Sequence, residues 1–391
     1  MSAQFDSRLR QVRWLALAVG ILGIGACFAG WLLGNRTFFS AYLFGYLFWL
    51  GLALGCLEVL MLHYLTGGRW GYPVRRFLEA GTRTIPWMAL LFIPLVFGLR
   101  ELYPWARPEE VAHNEVLQQK HLYMNPTGFI LRTAIFFLIW IVTVHFLRKW
   151  SWQQDQTPAP EPTIRLRTLS GPGIVLYPVT ATFVYIDWIM SLEADWYSTI
   201  FPVIILIGQI LTTIAFAILV LAFFQKETSI SEVTTVKPLH HLGNLMLAFV
   251  MFWTYVSFSQ WLIIWSGNLP HEIEWYVHRS SGAWKWIVIF LALFHFFIPF
   301  FILLFRTAKM SLRPLSLLAV MVFSAHVVNV YWLVTPSFEK RGIHLHWMHF
   351  AAPIGVGGLW IALFLWQLKK APLLPQQDPG LQFSVLHEHA H

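Results

Sequence analysis

The stretch YSTIFPVIILIGQILTTIAFAILVLAFF, residues 197–224, contains no charged side chain. A helix of about 20 mainly apolar residues crosses the hydrocarbon core of a bilayer, and this run is long enough to do so. Over the whole chain of 391 residues, 57% are hydrophobic and 12% are charged, whereas an ordinary soluble domain has roughly 25% charged residues. The sequence therefore predicts a membrane protein.

Working outward from this run, ten stretches meet the same requirements of length and polarity. The third is the weakest because it is short and contains Pro86 and Pro94, which a membrane helix tolerates when it is buried against neighbours. We predict an all-α polytopic fold in which residues 1–370 form one integral membrane domain and residues 371–391 an extended, poorly ordered cytoplasmic tail. The predicted spans are 12–34, 39–65, 84–100, 127–148, 172–193, 197–224, 241–266, 283–305, 314–334 and 347–368.

Lysine and arginine residues fall mainly in one of the two alternating sets of loops. By the positive-inside rule this set faces the cytoplasm, so both termini are predicted to lie there. The basic residues form no single patch, so the net charge of +8 reflects topology and does not indicate nucleic-acid binding. The predicted inner set consists of Arg8, Arg10, Arg13, Arg69, Arg75, Arg76, Arg83, Arg148, Lys149, Arg165, Arg167, Lys226, Lys237, Arg306, Lys309, Arg313, Lys369 and Lys370.

Two polar segments outside the spans have a readable pattern. On the outer side, Pro108 is followed by two glutamates within the loop 101–126, and this order is typical of the first turn of a helix. We predict a short surface helix there, packed on the membrane or on a partner. On the inner side, QQDQTPAPEPT (153–163) is rich in proline and polar residues, which indicates a linker.

The residues give no sign of a bound cofactor. Cys27 and Cys56 both lie inside apolar runs, and there is no CxxCH, CxxC or four-cysteine set, which argues against covalent haem, iron–sulfur clusters and structural zinc. A di-haem cytochrome b needs histidine pairs on facing helices at matched depths, whereas His145 and His326 are predicted half a membrane apart. The outer histidines fit no zinc pattern well; they are His344, His346 and His349.

Three stretches are distinctive: KHLYMNPTGFILRTAIFF (120–137), YPVTATFVYIDWIMSLEADWYSTIF (177–201) and NLMLAFVMFWTYVSFSQWLIIWSGNLPHEIEWYVHR (244–279). Together they resemble the smaller NrfD-like (polysulfide-reductase membrane-subunit-like) subunit of alternative complex III, a bacterial quinol oxidoreductase that passes electrons to cytochrome c or a similar carrier. The resemblance covers most of the chain.

The resemblance implies two four-helix bundles plus two peripheral helices in the bacterial cytoplasmic membrane, with no redox centre in this subunit. It also implies partners that carry the c-type haems, the iron–sulfur clusters and the quinol. These are a larger NrfD-like paralogue, expected to hold the quinol, an iron–sulfur protein, multihaem cytochromes c and small membrane subunits. A smaller subunit of this kind is a candidate proton conductor and not a catalyst.

Ionisable residues at membrane depth often mark ion routes, and two acids stand out. Glu58 lies in the inner half of the second span, where a structural hydrogen bond is the alternative explanation. Asp187 lies near the outer end of the fifth span, and its alternatives are helix capping or pairing with Arg132. Glu193 and Asp195 follow in the outer loop and are compatible with plain surface acids.

We predict two half-channels that meet near the bilayer centre, because titratable groups at staggered depths would break an apolar barrier about 30 Å thick. Each histidine by itself is more typical of ordinary packing. The inner half-channel comprises His145, His63, Tyr64 and Glu58. The outer one comprises His326, Asn329, Gln260, Lys285, Arg132 and Asp187, and His295 links the two.

Two other functions remain open. A stand-alone secondary transporter would have helices broken at the bilayer midplane, and the glycine–proline interruption Gly171–Pro172–Gly173 is predicted to lie at a helix end, which disfavours that class. A quinone-binding subunit in its own right is the other alternative, because the many aromatic residues suit a quinone pocket as well as a packed core.

Overall fold

Ten helices in the described part of the chain are long and apolar enough to cross a membrane, which confirms the predicted all-α, polytopic fold. The computed structural model describes residues 3–157, 159–339, 342–375, 377–379 and 381. Over these residues the remaining regular elements are short helices, and no strand is present. In chain order the spans are α1 Phe5–Leu32, α2 Thr37–Thr66, α3 Arg75–Phe97, α4 Pro126–Gln156, α5 Pro160–Glu193, α6 Phe201–Phe224, α7 Val236–Gly267, α8 Trp284–Leu304, α9 Leu312–Ser337 and α10 Met348–Leu368.

The spans form two four-helix bundles and a peripheral pair. Helices α2 to α5 pack around one another, α6 to α9 form the second bundle, and α1 packs mainly on α10. Helix α2 is central, because it contacts α3 and α5 in its own bundle as well as α6, α9 and α10. The most apolar window of α2 is 100% buried, against 11% in α1, so α1 presents most of its surface to the membrane.

Small residues let α1 and α10 approach closely. A Cβ added at Gly20 would lie 2.6 Å from the Leu359 backbone nitrogen, and one added at Gly358 would lie 2.5 Å from the Ala16 carbonyl oxygen. Association of helices in lipid relies on such packing, since lipid tails are as apolar as the side chains. These glycines therefore set the distance between the two peripheral helices.

Several helices extend further than the hydropathy pattern predicts. Helix α3 begins at Arg75 and not near residue 84. Helix α4 continues to Gln156, and α5 already begins at Pro160. The predicted linker 153–163 is therefore wrong for most of its length, because residues 153–156 and 160–163 are helical. Polar residues propagate a helix well beyond the hydrocarbon, and proline is well suited to the first turn of the next one.

Three spans contain irregular backbone. Helix α3 is divided into Arg75–Thr82, Ile85–Leu91 and Ile93–Phe97, with prolines opening the last two segments. Pro172 and Pro178 lie inside α5, whose helix runs over Pro160–Trp188 before a short 3-10 turn, Met190–Glu193. The Gly171–Pro172–Gly173 interruption is thus within a span, and the prediction that placed it at a helix end is wrong.

Helix α8 changes pitch at its middle. It consists of Trp284–Leu291, a π-helical segment Ala292–Phe297 and Ile298–Leu304. Segments of π-helix are rare and occur frequently at functional sites. The segment carries His295, which is one of the predicted site residues.

The loop after α3 is helical, as predicted from Pro108. It contains Pro108–His113 and Glu115–Lys120, and the Asn114 side chain accepts hydrogen bonds at the start of the second. The other short helices are Leu99–Leu102, Pro104–Ala106, Thr228–Val233, Pro270–Ser280 and Arg306–Met310, and α9 closes with a 3-10 turn, Thr335–Ser337.

The start of the C-terminal tail packs on the membrane domain. Leu373, Leu374 and Leu381 are buried, and the Asp378 carboxylate pairs with the guanidinium of Arg75. The prediction of an extended, poorly ordered tail is therefore wrong for this part. The physical reason is that the buried Arg75 needs a counter-charge, which Asp378 of the tail supplies. Residues 382–391 lie outside the described residues.

Candidate functional site

A buried ionic cluster surrounds Glu79 at the basic end of the first bundle. Arg75 and Arg76 donate to its two carboxylate oxygens at 2.9 and 2.7 Å, and Arg83 approaches to 3.5 Å. The hydroxyls of Ser151 and Tyr64 donate to the same carboxylate at 2.8 and 3.0 Å. Every side chain of the three arginines and Glu79 is at most 7% exposed.

Two further acids balance the charge of this cluster. Asp155, on α4, pairs with Arg76, and Asp378, in the tail, pairs with Arg75. Three arginines thus face three carboxylates, and Gln154 adds a hydrogen bond to Arg75 at 2.6 Å. Buried charges are retained only when they are paired and hydrogen-bonded in this way.

Glu79 is not among the site residues predicted from the sequence, and the arginines around it were expected in a loop. The signal that could have found it is the spacing in RRFLEAGTR (75–83), where three arginines lie three or four residues from the glutamate. Residues at that spacing share one face of a helix. A hydropathy window counts such residues only as polar and cannot see that they neutralise one another.

Glu58 lies in the interior of the first bundle beside a chain of polar side chains. It is 7% exposed, and its Oε2 has no hydrogen-bond partner among the described residues. The Glu58 carboxylate is within electrostatic reach of the Tyr177 phenol. Tyr177 donates to Gln209 Oε1 at 3.0 Å, and Gln209 Nε2 donates to the Tyr185 hydroxyl. These hydrogen bonds join α5 and α6.

His63 and Tyr64 follow Glu58 on α2 but point to different surroundings. Tyr64 reaches the Glu79 cluster, whereas the His63 ring packs against Trp70 and Tyr72 in the loop that follows. His63 is 3% exposed, and its Nδ1 lacks a partner within the described part of the chain. The structure therefore brings Tyr64, and not His63, into hydrogen-bonding contact with Glu79.

Asp187 and Arg132 form a bidentate ion pair at the end of the first bundle opposite to the Glu79 cluster. Arg132 Nε and Nη2 donate to the two Asp187 oxygens at 2.8 and 3.1 Å. Asp187 is 3% exposed, and the guanidinium lies 3.9 Å from the centroid of the Tyr123 ring. Of the alternatives that the sequence left open for Asp187, the structure shows the ion pair with Arg132.

A pair of histidines occupies the interior of the second bundle. The rings of His295, on the π-helical segment of α8, and His326, on α9, are stacked with centroids 5.7 Å apart. Both side chains are buried, and His295 Nδ1 and Nε2, His326 Nδ1 and Asn329 Nδ2 have no partner within the described residues. Trp253 packs edge-on against His295 at 4.1 Å.

These two histidines lie on facing helices at one depth, so the sequence argument that no depth-matched pair exists is wrong. The sequence argument compared His326 with His145, whereas its partner in the structure is His295. The surroundings of the pair are tightly packed: a Cβ on Gly208 would fall 2.7 Å from His326 Cε1. Helix α6 therefore packs directly against the His326 ring.

Helix α6 places the two interior groups at one level. Gln209 faces the Glu58 chain in the first bundle, and the adjacent Gly208 faces His326 in the second. Successive helical residues are separated by about 1.5 Å along the axis. The polar interiors of the bundles therefore lie on two sides of one helix at the same depth.

Three predicted site residues lie away from both interior groups. His145 is exposed in a basic pocket on α4, and Lys285 is exposed at the start of α8 with its ammonium near the Trp286 ring. Near the C-terminal end of α7, Gln260 Oε1 accepts from the Ser198 hydroxyl at 3.1 Å and Gln260 Nε2 donates to the Tyr276 hydroxyl at 2.9 Å. The structure thus divides the predicted outer half-channel between the two bundles.

A second ion pair joins the two bundles at the ends that lie away from the Glu79 cluster. The Arg279 guanidinium is 2.7 Å from Glu193 Oε1, and Ser337 donates to the same oxygen at 2.7 Å. Arg279 is 1% exposed, and burial lowers the pKa of its guanidinium while Glu193 acts in the opposite sense. Glu193 is therefore a partner of a buried cation and not a plain surface acid.

These features define a polytopic α-helical membrane protein with buried ionisable groups in two linked bundles. Among the residues that the structure describes, no group of three or more His, Cys, Asp and Glu side chains is placed to hold a metal ion. Comparison of the sequence with models of known protein families and with curated proteins gives no match.

Proposed function

We propose that this chain is a non-catalytic membrane subunit of a respiratory quinol:electron-carrier oxidoreductase of the alternative complex III type, and that it conducts protons. The resemblance of three sequence stretches to the smaller NrfD-like subunit supports the assignment, and the two four-helix bundles agree with what that resemblance implies. The proposed place is the bacterial cytoplasmic membrane with both termini inside. The haems, clusters and quinol are assigned to partner subunits.

One observation carries the proton-conducting role. Glu58 is a buried acid with a free carboxylate oxygen beside the Tyr177–Gln209–Tyr185 chain. Ionisable groups at membrane depth are costly and are found on ion and proton pathways. Glu58 differs in this from Glu79, whose two carboxylate oxygens both accept hydrogen bonds from arginine.

The proposed route runs through the first bundle. Protons would enter past the Glu79 cluster and Tyr64, load on Glu58, pass along the two phenols held by Gln209 and leave by Asp187. Hydroxyl groups can both donate and accept a proton, and a few waters would bridge the remaining gaps. This route replaces the two half-channels expected from the sequence, because His145, Gln260 and Lys285 lie elsewhere.

The histidine pair provides a second store of protons at the same depth. His326 packs against Gly208 and His295 stacks on His326, so the pair lies on a different face of α6 from Gln209. Histidine titrates near neutral pH when exposed and is commonly a proton shuttle. We assign the pair the linking role that the sequence suggested for His295 alone.

A stand-alone secondary transporter is the second candidate. The broken backbone of α3, the prolines inside α5 and the π-helical segment of α8 favour it, since transporter sites form where helices are discontinuous. Purification in mild detergent separates the two. Co-purification with c-type haem proteins supports the subunit, and recovery of the chain alone supports the transporter. A quinone analogue found bound beside Asp187 or His326 would instead favour a quinone site of its own.

The test of proton conduction uses Glu58→Gln and Asp187→Asn in the complex, reconstituted in liposomes. Electron transfer should continue while the number of protons moved per electron falls, because neither amide can carry a proton. Asp195→Asn is the matched control, since Asp195 is exposed and follows Asp187 on the same side. Wild-type proton stoichiometry in both acid variants would show that the route is wrong.

A further inference from the structure

A basic pocket lies at the inner end of α4, between α3 and the end of α10. It has a volume of about 260 Å³. No carboxylate of the described residues pairs with Arg148, Lys149 or Lys370, and the one acid in the wall, Asp155, is already paired with Arg76. The lining residues are Arg83, His145, Arg148, Lys149, Trp152, Asp155, Lys370 and Ala371.

Two of these cations, Arg83 and Lys370, have N–H donors that no carboxylate of the described residues accepts from. Arg83 is 8% exposed, and its Nε has no hydrogen-bond partner among the described residues. Burial and the neighbouring guanidinium groups of Arg148 and Arg83 lower the pKa of the Lys370 ammonium. Like charges are brought together here at an energetic cost, and a bound anion would offset that cost.

An apolar groove begins where the basic pocket ends. The Lys370 ammonium lies 3.3 Å from the centroid of the Trp366 ring, and Trp366 contacts Trp87 with ring centroids 6.0 Å apart. Both tryptophans line a groove of about 540 Å³ between α1, α3 and α10. Its other walls are Arg13, Trp14, Leu17, Leu90, Leu91, Leu359, Ala362 and Leu363.

The groove has the length of a lipid tail in one leaflet. From Lys370 to Leu359 the chain descends roughly 16 Å along the helix, at about 1.5 Å per residue. Half of the hydrocarbon core is about 15 Å. A phosphate in the pocket would therefore continue into an acyl chain in the groove without a change of direction.

We propose that the pocket and the groove together form a binding site for one anionic phospholipid on the basic side of the membrane. The phosphate lies among Arg148, Lys149 and Lys370, with Arg83 at the base of the pocket, and the acyl chain lies along Trp87 and Trp366. Basic pockets between transmembrane helices on this side are suited to lipid headgroups. The inference does not depend on the proposed proton route.

The test is native mass spectrometry of the full chain after removal of co-purified lipid. Phosphatidylglycerol is added, with phosphatidylcholine, glycerol phosphate and inorganic phosphate in separate arms. The double variant Arg148→Gln, Lys370→Gln should bind phosphatidylglycerol about tenfold or more weakly than wild type, since each cation near a membrane surface contributes about 1 kcal/mol to anionic-lipid binding. The control is the double variant Arg165→Gln, Arg167→Gln. Both arginines are exposed near the start of α5, at the same end of the bundle as the pocket, and neither lines it.

Phosphatidylglycerol should bind more tightly than phosphatidylcholine, the control should behave as wild type, and neither soluble phosphate should displace the lipid. Three outcomes would overturn the proposal. They are equal retention by wild type and the pocket variant, equal binding of the zwitterionic lipid, and displacement by inorganic phosphate, which would identify a site for free anions. The melting temperature of each variant separates lost binding from lost folding.

Discussion

Glu79 and Glu58 show how differently two buried acids of one bundle are used. Glu79 receives hydrogen bonds from two arginines, a serine and a tyrosine, so its charge is compensated on every side. Glu58 has a carboxylate oxygen without a partner in the described part of the chain. At the scale of the residue, the first arrangement fixes structure, and the second is the one on which the proposed proton route rests.

Glu79→Gln should destabilise the protein strongly. Breaking a buried ion pair by removing one partner costs about 3–5 kcal/mol, because the remaining charge is left uncompensated, and here three guanidinium groups share the loss. The apparent unfolding temperature in detergent should fall. Glu110→Gln is the control, since Glu110 pairs with Arg107 on the surface at 45% exposure and such pairs contribute about 0–1 kcal/mol. Equal unfolding temperatures for the two variants would exclude a structural role for the cluster.

At the scale of the element, backbone irregularity coincides with the candidate site. His295 lies on the π-helical segment of α8, and the prolines of α5 flank Tyr177. Helices α1 and α10 instead carry glycines that bring their backbones together. Irregular segments thus accompany part of the interior polar group, and close packing at glycines forms the peripheral pair.

Gly20→Ala and Gly25→Ala should have opposite effects on stability, although both change glycine to alanine in α1. The Gly20 variant places a methyl group 2.6 Å from the Leu359 backbone nitrogen, whereas nothing lies within 4 Å of a Cβ at Gly25. Alanine favours a helix by about 1 kcal/mol over glycine, so Gly25→Ala should be neutral or stabilising and Gly20→Ala destabilising. Thermal unfolding in detergent measures both. A Gly20 variant as stable as the Gly25 variant would mean that α1 packs differently.

At the scale of the whole molecule, ion pairs join parts of the chain that are far apart in sequence. Arg75 holds the tail through Asp378, and Arg279 joins the end of α5 to the end of α9 through Glu193 and Ser337. Each lies at one end of the bundles, where the helices leave the apolar region. The first link fixes the tail on the first bundle, and the second adds to the contacts that α2 makes with both bundles.

The predicted topology can be tested with a membrane-impermeant thiol reagent. Glu109→Cys should be labelled in intact cells, because the loop 101–126 is predicted outside. Arg165→Cys should be labelled only after the membrane is opened, because the other end of the helices carries most of the basic residues. The native Cys27 and Cys56 are buried and give little background. Labelling of Arg165→Cys in intact cells would invert the topology.

The apolar runs by themselves determined the number of spans and the all-α class, because burial of a helix in lipid depends on local composition. They located Glu58, Asp187 and Arg132, since isolated charges in such runs are conspicuous. Only the tertiary structure decided which charges neutralise one another: Glu79 with the arginines around it, Glu193 with Arg279, and the tail with Arg75. It also decided that His295 faces His326 while His145 and Lys285 point outward. A sequence gives the depth of a side chain, but the direction in which it points depends on how the helices rotate and pack.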